Sequence, residues 1–142
     1  MTTYPDASVL VSAFADEPNS ATALAFLTSL PEDTLLVSSW TVTEIASALG
    51  IKVRTGTLEA DQRRPLHLAI TTYLTRTAQW LEPIARDFTA AVELMLATDQ
   101  PLRAGDALHL AISSRLSATA WTFDRRMAQA GQALGLNVRL LA

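Results

Sequence analysis

Cysteine is absent from this chain of 142 residues, which excludes a disulfide framework, a thiol nucleophile and every thiolate metal site, zinc fingers and iron–sulfur centres included. Any metal must therefore be held by oxygen or histidine. Glycine and proline are scarce, at 5 and 6 residues, so collagen-like and Pro/Gly-rich disordered chains are excluded as well. No apolar run approaches the roughly 18 residues of a membrane span. No cationic segment precedes an apolar one behind Met1, so no secretory signal is visible. The expectation is a cytoplasmic protein with no membrane partner. Lysine is nearly missing too: Lys52 stands alone among 11 basic residues, and the rest are arginine.

What is present is an apolar, well-packed globular composition, 49% hydrophobic and 18% charged, of a length that predicts one domain over residues 1–142. The formal charge of -3 disfavours a polyanionic partner at first sight. Committing four carboxylates to divalent cations would bring the remainder to +1, and arginine suits bidentate phosphate contact. Nucleic acid therefore stays open.

The hydrophobic pattern predicts a buried strand over Tyr4 to Val11, a short helix to Ala15, and a helix after Asn19 or Ser20 with Ala23, Leu24, Leu27 and Leu30 at helical spacing. A strand over Thr34 to Val37 precedes a helix capped by Ser38 or Ser39, striped by Val42, Ile45, Leu49 and Val53 and ended by Gly56. Residues 57–77 read as helical, with Pro65 kinking or dividing the run. A strand over Ala78 to Leu81, a helix from Ile84 or Ala85, and a largely buried helix over Ala104 to Leu116 follow. Thr119 to Phe123, Asp124 to Leu134 and Asn137 to Leu140 complete the pattern as strand, helix and strand. Short apolar strands alternating with helices indicate an α/β fold, a three-layer α/β/α arrangement with a short parallel sheet flanked by helices. Trp40, Trp80, Trp121, Phe14, Phe26, Phe88 and Phe123 are expected mostly in its core.

In such a sheet, ligands bind beyond the carboxyl ends of the strands. Four acids fall in or beside apolar segments. Asp6 sits inside the first apolar run, where an ionised carboxylate needs a partner. Glu44 lies on the shoulder of the third helix's apolar stripe, Asp106 in the first turn of the most buried helix, and Asp124 where a strand passes into a helix. Acidic oxygens are the usual ligands of magnesium or manganese, and such ions support phosphodiester hydrolysis. Ser8 and Thr122 stand two residues from Asp6 and Asp124, which on an extended strand places each on its carboxylate's face. Arg103, Arg125 and Arg126 are candidate phosphate contacts. His109 reads as a hydrogen-bonded core residue and His67 as a surface one; no serine–histidine triad is visible.

These segments resemble the PIN-domain ribonucleases, and among them the VapC toxins of type II toxin–antitoxin pairs. Tyr4-Pro-Asp-Ala-Ser8, Trp40-Thr-Val-Thr-Glu-Ile45, Leu102-Arg-Ala-Gly-Asp-Ala-Leu-His-Leu-Ala111 and Thr122-Phe-Asp-Arg-Arg-Met127 are similar to the four acidic motifs in order, and Ala133-Leu-Gly-Leu-Asn-Val138 to the closing one. The resemblance implies a Mg2+-dependent endoribonuclease, Mn2+ also serving. It implies Asp6, Glu44, Asp106 and Asp124 as metal-binding carboxylates with Ser8 and Thr122 assisting, and Asp6 or Asp106 orienting the water. Its partners would be RNA, a cognate VapB-like antitoxin and a second copy in a homodimer or larger toxin–antitoxin assembly. Some relatives carry a further acid after the fourth motif, where this chain has Arg125 and Arg126.

Three other readings compete with this one. A haloacid-dehalogenase-type phosphatase needs an acid two residues after its nucleophile, where this chain has Ser8. A response-regulator receiver needs an acidic pair and a late lysine that the chain lacks. A non-catalytic PIN-like scaffold or binding protein would keep the pocket but act through protein contacts.

Overall fold

A computed structural model describes the whole chain, Met1 to Ala142. The elements run β1 (Thr3–Pro5), α1 (Ala7–Phe14), α2 (Ser20–Ser29), β2 (Leu36–Ser38), α3 (Ser39–Arg54), α4 (Arg63–Thr77), β3 (Gln79–Leu81), α5 (Ala85–Ala97), α6 (Ala104–Arg115), β4 (Thr119–Thr122), α7 (Arg125–Ala133) and β5 (Val138–Leu140). A 3-10 turn over Ala60–Gln62 leads into α4.

All strand pairs are parallel: β1 with β4, β4 with β5, and β2 with β3. A single bridge between Thr3 and Leu35 brings β1 beside β2, giving the order β3-β2-β1-β4-β5. Both faces are covered, and the short strands show it by alternation. Leu35 and Val37 enter one core with Leu10, Ile45, Leu49, Ile70 and Leu74 from α1, α3 and α4. Leu36, between them, enters the other with Tyr4, Ala107, Leu108 and Ile112. This is the two-sided burial that forces parallel strands to be apolar throughout. Ile45, Leu49, Ile70 and Leu74 are all at 0% exposure, each such side chain contributing about 1.5–3 kcal/mol.

Three sequence expectations change. The apolar run Tyr4 to Val11 is not one strand: β1 ends at Pro5, and Asp6 caps α1 by accepting the Ser8 and Val9 N–H groups. A mainly apolar run of this length fits a buried strand and a buried helix equally; the capping aspartate within it decides. Pro65 neither kinks nor divides α4, because it falls in the first turn, where the N–H that proline lacks has no intrahelical acceptor. The aromatic residues are not mainly core: no tryptophan or phenylalanine is fully buried, and Trp80 and Phe88 are exposed. Phe88 belongs to a stripe with Ile84, Val92 and Leu96, all exposed, on the side of α5 that no other element covers. The fully buried aromatic ring is Tyr4. No helix is long and apolar enough to cross a membrane.

Candidate active site

The strand order reverses between β1 and β4, and a crevice at such a switch point lies beyond the strands' carboxyl ends. Asp6 directly follows β1, while Thr122 ends β4 two residues before Asp124. The fold thus brings together residues more than a hundred positions apart.

Asp6 is 6% exposed and is held by neutral donors. Its Oδ1 accepts from Ser8 N (2.9 Å), Ser8 Oγ (2.5 Å) and Val9 N (3.3 Å), and its Oδ2 from Thr122 Oγ1 (2.6 Å). Burial pushes its carboxyl above the usual range, against the opposing effect of His109, Ser8, Thr122 and the Val9 N–H. Both hydroxyls also accept: Ser8 Oγ from the Phe123 N–H and Thr122 Oγ1 from the Asp124 N–H. They tie the α1 start to the β4 end. The expected strand geometry for these pairs does not hold. Ser8 lies in the first turn of α1, and Thr122 donates to Asp6, the chain bending between Thr122 and Asp124.

Glu44, on the second turn of α3, has a side chain 27% exposed, and its Oε2 accepts from His109 Nε2 at 2.5 Å. Its Oε1 lies against Gly105, where a Cβ would come within 2.6 Å of it and 3.2 Å of Trp40. Asp106 is 9% exposed in the first turn of α6; burial raises its pKa despite Arg103, with Asp124 and Glu44 adding to the rise. Asp124 caps α7 by accepting from Arg126 N and Met127 N. Arg103 bridges two of the acids, with Nε 3.1 Å from Asp106 and Nη2 3.0 Å from Asp124, and the Asp106 charge raises its own pKa.

Asp6, Glu44, Asp106 and Asp124 line one cleft of about 340 Å3 together with Ser8 and Arg103. Two roomier clefts, of about 880 and 950 Å3, adjoin α3 and α4; neither is lined by a fully buried carboxylate, so size does not locate the chemistry. The four acids form an all-oxygen donor set of the kind that suits a hard divalent cation. In this arrangement no three acidic or histidine side chains are grouped to hold an ion. Instead the Arg103 guanidinium supplies positive charge between Asp106 and Asp124. The donors fit a divalent cation in kind, and loading one would require Arg103 to yield.

Arg125 and Arg126 are exposed in the first turn of α7, form no ion pair and do not line the cleft. Sequence reasoning missed two contacts. It placed His109 in the core, where its ring is indeed at 0% exposure, but not against Glu44. The signal was its position three residues after Asp106, on the same side of α6. It also read Arg103 as a phosphate contact without the carboxylates that it bridges.

Compared with known families, residues 3–133 match the model of the PIN domain. No curated protein matches the chain. Among solved structures it is similar to VapC20 of Mycobacterium tuberculosis, a sarcin–ricin loop cleaving toxin, at 16% identity over 92% of this chain and 95% of that one, with a TM-score of 0.72. It is similar to VapBC2 from Rickettsia felis, solved bound to a DNA fragment from their promoter, at 14% identity, full coverage of both chains (100% and 100%) and a TM-score of 0.68. FitAcB from Neisseria gonorrhoeae gives 19% identity over 99% and 97% with a TM-score of 0.69. At these identities the likeness is one of fold.

Proposed function

The chain belongs to the PIN-domain family, and from that premise we propose that it is a Mg2+-dependent endoribonuclease, the toxin of a toxin–antitoxin pair. The observation that carries this reading is Asp6: a nearly buried carboxylate with no cation bonded to it, on one cleft with Glu44, Asp106 and Asp124. A carboxylate so placed is expensive unless it serves a charge not yet described.

In this reading the four acids would hold Mg2+ or Mn2+. Such an ion, when bound, supplies charge neutralisation at the phosphate and a bound water of lowered pKa. Ser8 and Thr122 orient the Asp6 carboxylate through its two oxygens. In this reading Asp6 or Asp106, both with carboxyls raised by burial, orients the attacking water. Arg103, 78% exposed at its side chain, is placed at the cleft to turn from the acids to a phosphate; Arg125 and Arg126 offer further phosphate contacts from the start of α7. The substrate is RNA in the cytoplasm, and the unit of activity is one domain over residues 1–142.

A cognate antitoxin is the proposed protein partner, in keeping with relatives whose solved structures are toxin–antitoxin complexes. The exposed α5 stripe of Ile84, Phe88, Val92 and Leu96 offers apolar surface to a second copy in a homodimer. A second reading, a non-catalytic PIN scaffold, draws support from the Arg103 bridge, which neutralises two of the four acids.

Cleavage of a mixed cellular RNA pool by purified, antitoxin-free protein decides between them, with Mg2+ or Mn2+ and with EDTA. Discrete products that vanish in EDTA and in folded Asp6→Asn and Asp106→Asn are expected. Metal binding without cleavage by the wild type, on any RNA in the pool, would favour the scaffold.

A further inference from the structure

Beneath the cleft lies a knot of polar side chains, all at 0% exposure: Tyr4, Ser38, Thr41 and His109. The Tyr4 hydroxyl stands 2.7 Å from Ser38 Oγ, 3.2 Å from Thr41 Oγ1 and 3.1 Å from His109 Nδ1. The other ring nitrogen, Nε2, leaves the core and reaches Glu44 Oε2 at 2.5 Å. A histidine satisfied for packing alone would spend both nitrogens inside the core. This one spends its second on a partly exposed acid at the cleft.

Donor counting fixes the outer end of the knot. A carboxylate only accepts, so Nε2 carries a hydrogen; in the neutral ring the lone pair of Nδ1 then accepts from the Tyr4 hydroxyl. With its proton given to Nδ1, the Tyr4 oxygen is left to accept from the Ser38 and Thr41 hydroxyls. The chain runs from the end of β2 and the first turn of α3 through β1 and α6 back to α3.

Three of the four residues of the knot stand close in sequence to an acid of the cleft. Tyr4, on β1, precedes Asp6 by two residues, Thr41 precedes Glu44 by about one turn of α3, and His109 follows Asp106 by about one turn of α6. The far side of Glu44 is equally defined. Gly105 leaves the space that Oε1 occupies, and the Trp40 indole N–H donates to the Gly105 carbonyl at 3.3 Å, fastening that wall. Glu44 Oε1 has no hydrogen-bond donor, so the clamp holds one oxygen and leaves the other open.

We propose that His109 is a positioning residue that fixes the Glu44 carboxylate for cation binding, and that the Tyr4–Ser38–Thr41–His109 knot sets the mutual placement of Asp6, Glu44 and Asp106. The inference rests on the nuclease reading. Partners that hold a ligand carboxylate in this way typically govern metal affinity by 10- to 100-fold.

The test compares His109→Asn, His109→Gln and His109→Leu, alone and in a Glu44→Gln background, by Mn2+ calorimetry, RNA cleavage kinetics and thermal melting. Asn keeps a partner for Tyr4 but cannot reach Glu44; Gln places an amide N–H2 where Nε2 stands; Leu removes both. The expected result is a Mn2+ affinity about 10- to 100-fold weaker in His109→Asn and His109→Leu, with kcat lowered, KM for RNA within about 3-fold, and substantial rescue in His109→Gln. In the Glu44→Gln background, His109→Asn should add less than about 2-fold to the loss of Mn2+ affinity, because residues acting through one another are not additive. Losses that multiply in that background would overturn the inference, as would unchanged Mn2+ affinity and kcat in folded His109→Asn. So would losses in all three variants that follow only their melting temperatures. If His109→Leu does not fold, the Asn and Gln variants decide. A wild-type chain that neither binds Mn2+ nor cleaves RNA overturns the nuclease reading itself, whereas a wild type that does both beside an unaffected His109→Asn removes the positioning role alone.

Discussion

Asp6 and Asp87 are both aspartates buried near the start of a helix, at 6% and 1% exposure, and they are handled in opposite ways. Asp87 faces a guanidinium: Arg115 Nε donates to Oδ1 at 2.7 Å and Nη2 to Oδ2 at 2.9 Å, while the Ile84 N–H adds a bond to Oδ2. Burial pushes the Asp87 carboxyl up, but the Arg115 and Ile84 hydrogen bonds, with the charges of Arg115 and Arg86, outweigh it and leave the pKa lowered. Asp6 has four bonds and no guanidinium, and its pKa stays raised. Burial of an acid therefore does not by itself single out the cleft: Asp87 is buried against a guanidinium away from it, whereas Asp6 is buried at the cleft with neutral donors alone. Asp87 ties α5 to α6, and Asp6 faces the cleft.

The sharpest way to break the comparison is activity. Asp6→Asn should lower RNA cleavage by about 10³-fold or more, whereas Asp87→Asn should leave the rate per folded molecule within about 3-fold of wild type, read as product formation normalised to active protein. Similar losses in both would erase the distinction.

Stability should invert the order. Arg115→Ala leaves Asp87 buried without its cation and should cost about 3 kcal/mol, measured by denaturant unfolding in EDTA. A loss below about 1 kcal/mol would place Asp87 among weak surface pairs.

The pH dependence of stability should then separate the two aspartates by sign. The folded pKa of Asp87 lies below its unfolded value, so its contribution is present above the unfolded pKa and is lost as pH falls through the folded one. The folded pKa of Asp6 lies above its unfolded value, so the native state binds the extra proton between them, and stability falls as pH rises through that window. In metal-free buffer Asp6→Asn should thus gain on the order of 1 kcal/mol at neutral pH, a gain that fades below the unfolded pKa, while Asp87→Asn should lose stability at neutral pH. Melting curves from pH 3 to 8 check both signs.

The smallest effect belongs to Arg103, which also meets two aspartates but whose own side chain is exposed. Arg103→Ala should change stability by no more than about 0.5 kcal/mol and strengthen Mn2+ binding by freeing Asp106 and Asp124, as titration calorimetry would show. Weakened Mn2+ binding would make Arg103 part of the ion's support instead of its competitor.

The sequence carried the layer order because apolar spacing reports burial, and α2, α3, α5, α6 and β3 appear close to where that spacing placed them. It failed at Tyr4 to Val11, where a helix buried on all sides and a parallel strand look alike. It failed at Pro65, whose effect depends on its place within the helix. The acids Asp6, Glu44, Asp106 and Asp124 stood out because charge in an apolar run is conspicuous. Asp87 did not stand out, and its exclusion from the cleft depends on Arg115, 28 residues away. The Glu44–His109 contact and the Arg103 bridge depend on side-chain directions that spacing hints at and only the packed fold settles.

The single bridge between β1 and β2, Thr3 with Leu35, has a dynamic consequence. It makes the sheet two ladders, β2–β3 and β1–β4–β5, held together at that seam more by side chains than by backbone. Glu44 travels with the first ladder and Asp6 and Asp124 with the second. Opening along the seam, a sub-global fluctuation that leaves both ladders folded, would scatter the acids before the molecule melts. Loss of activity on heating should then precede loss of helical signal, and amide protons of Thr3 and Leu36 should exchange ahead of those within β4.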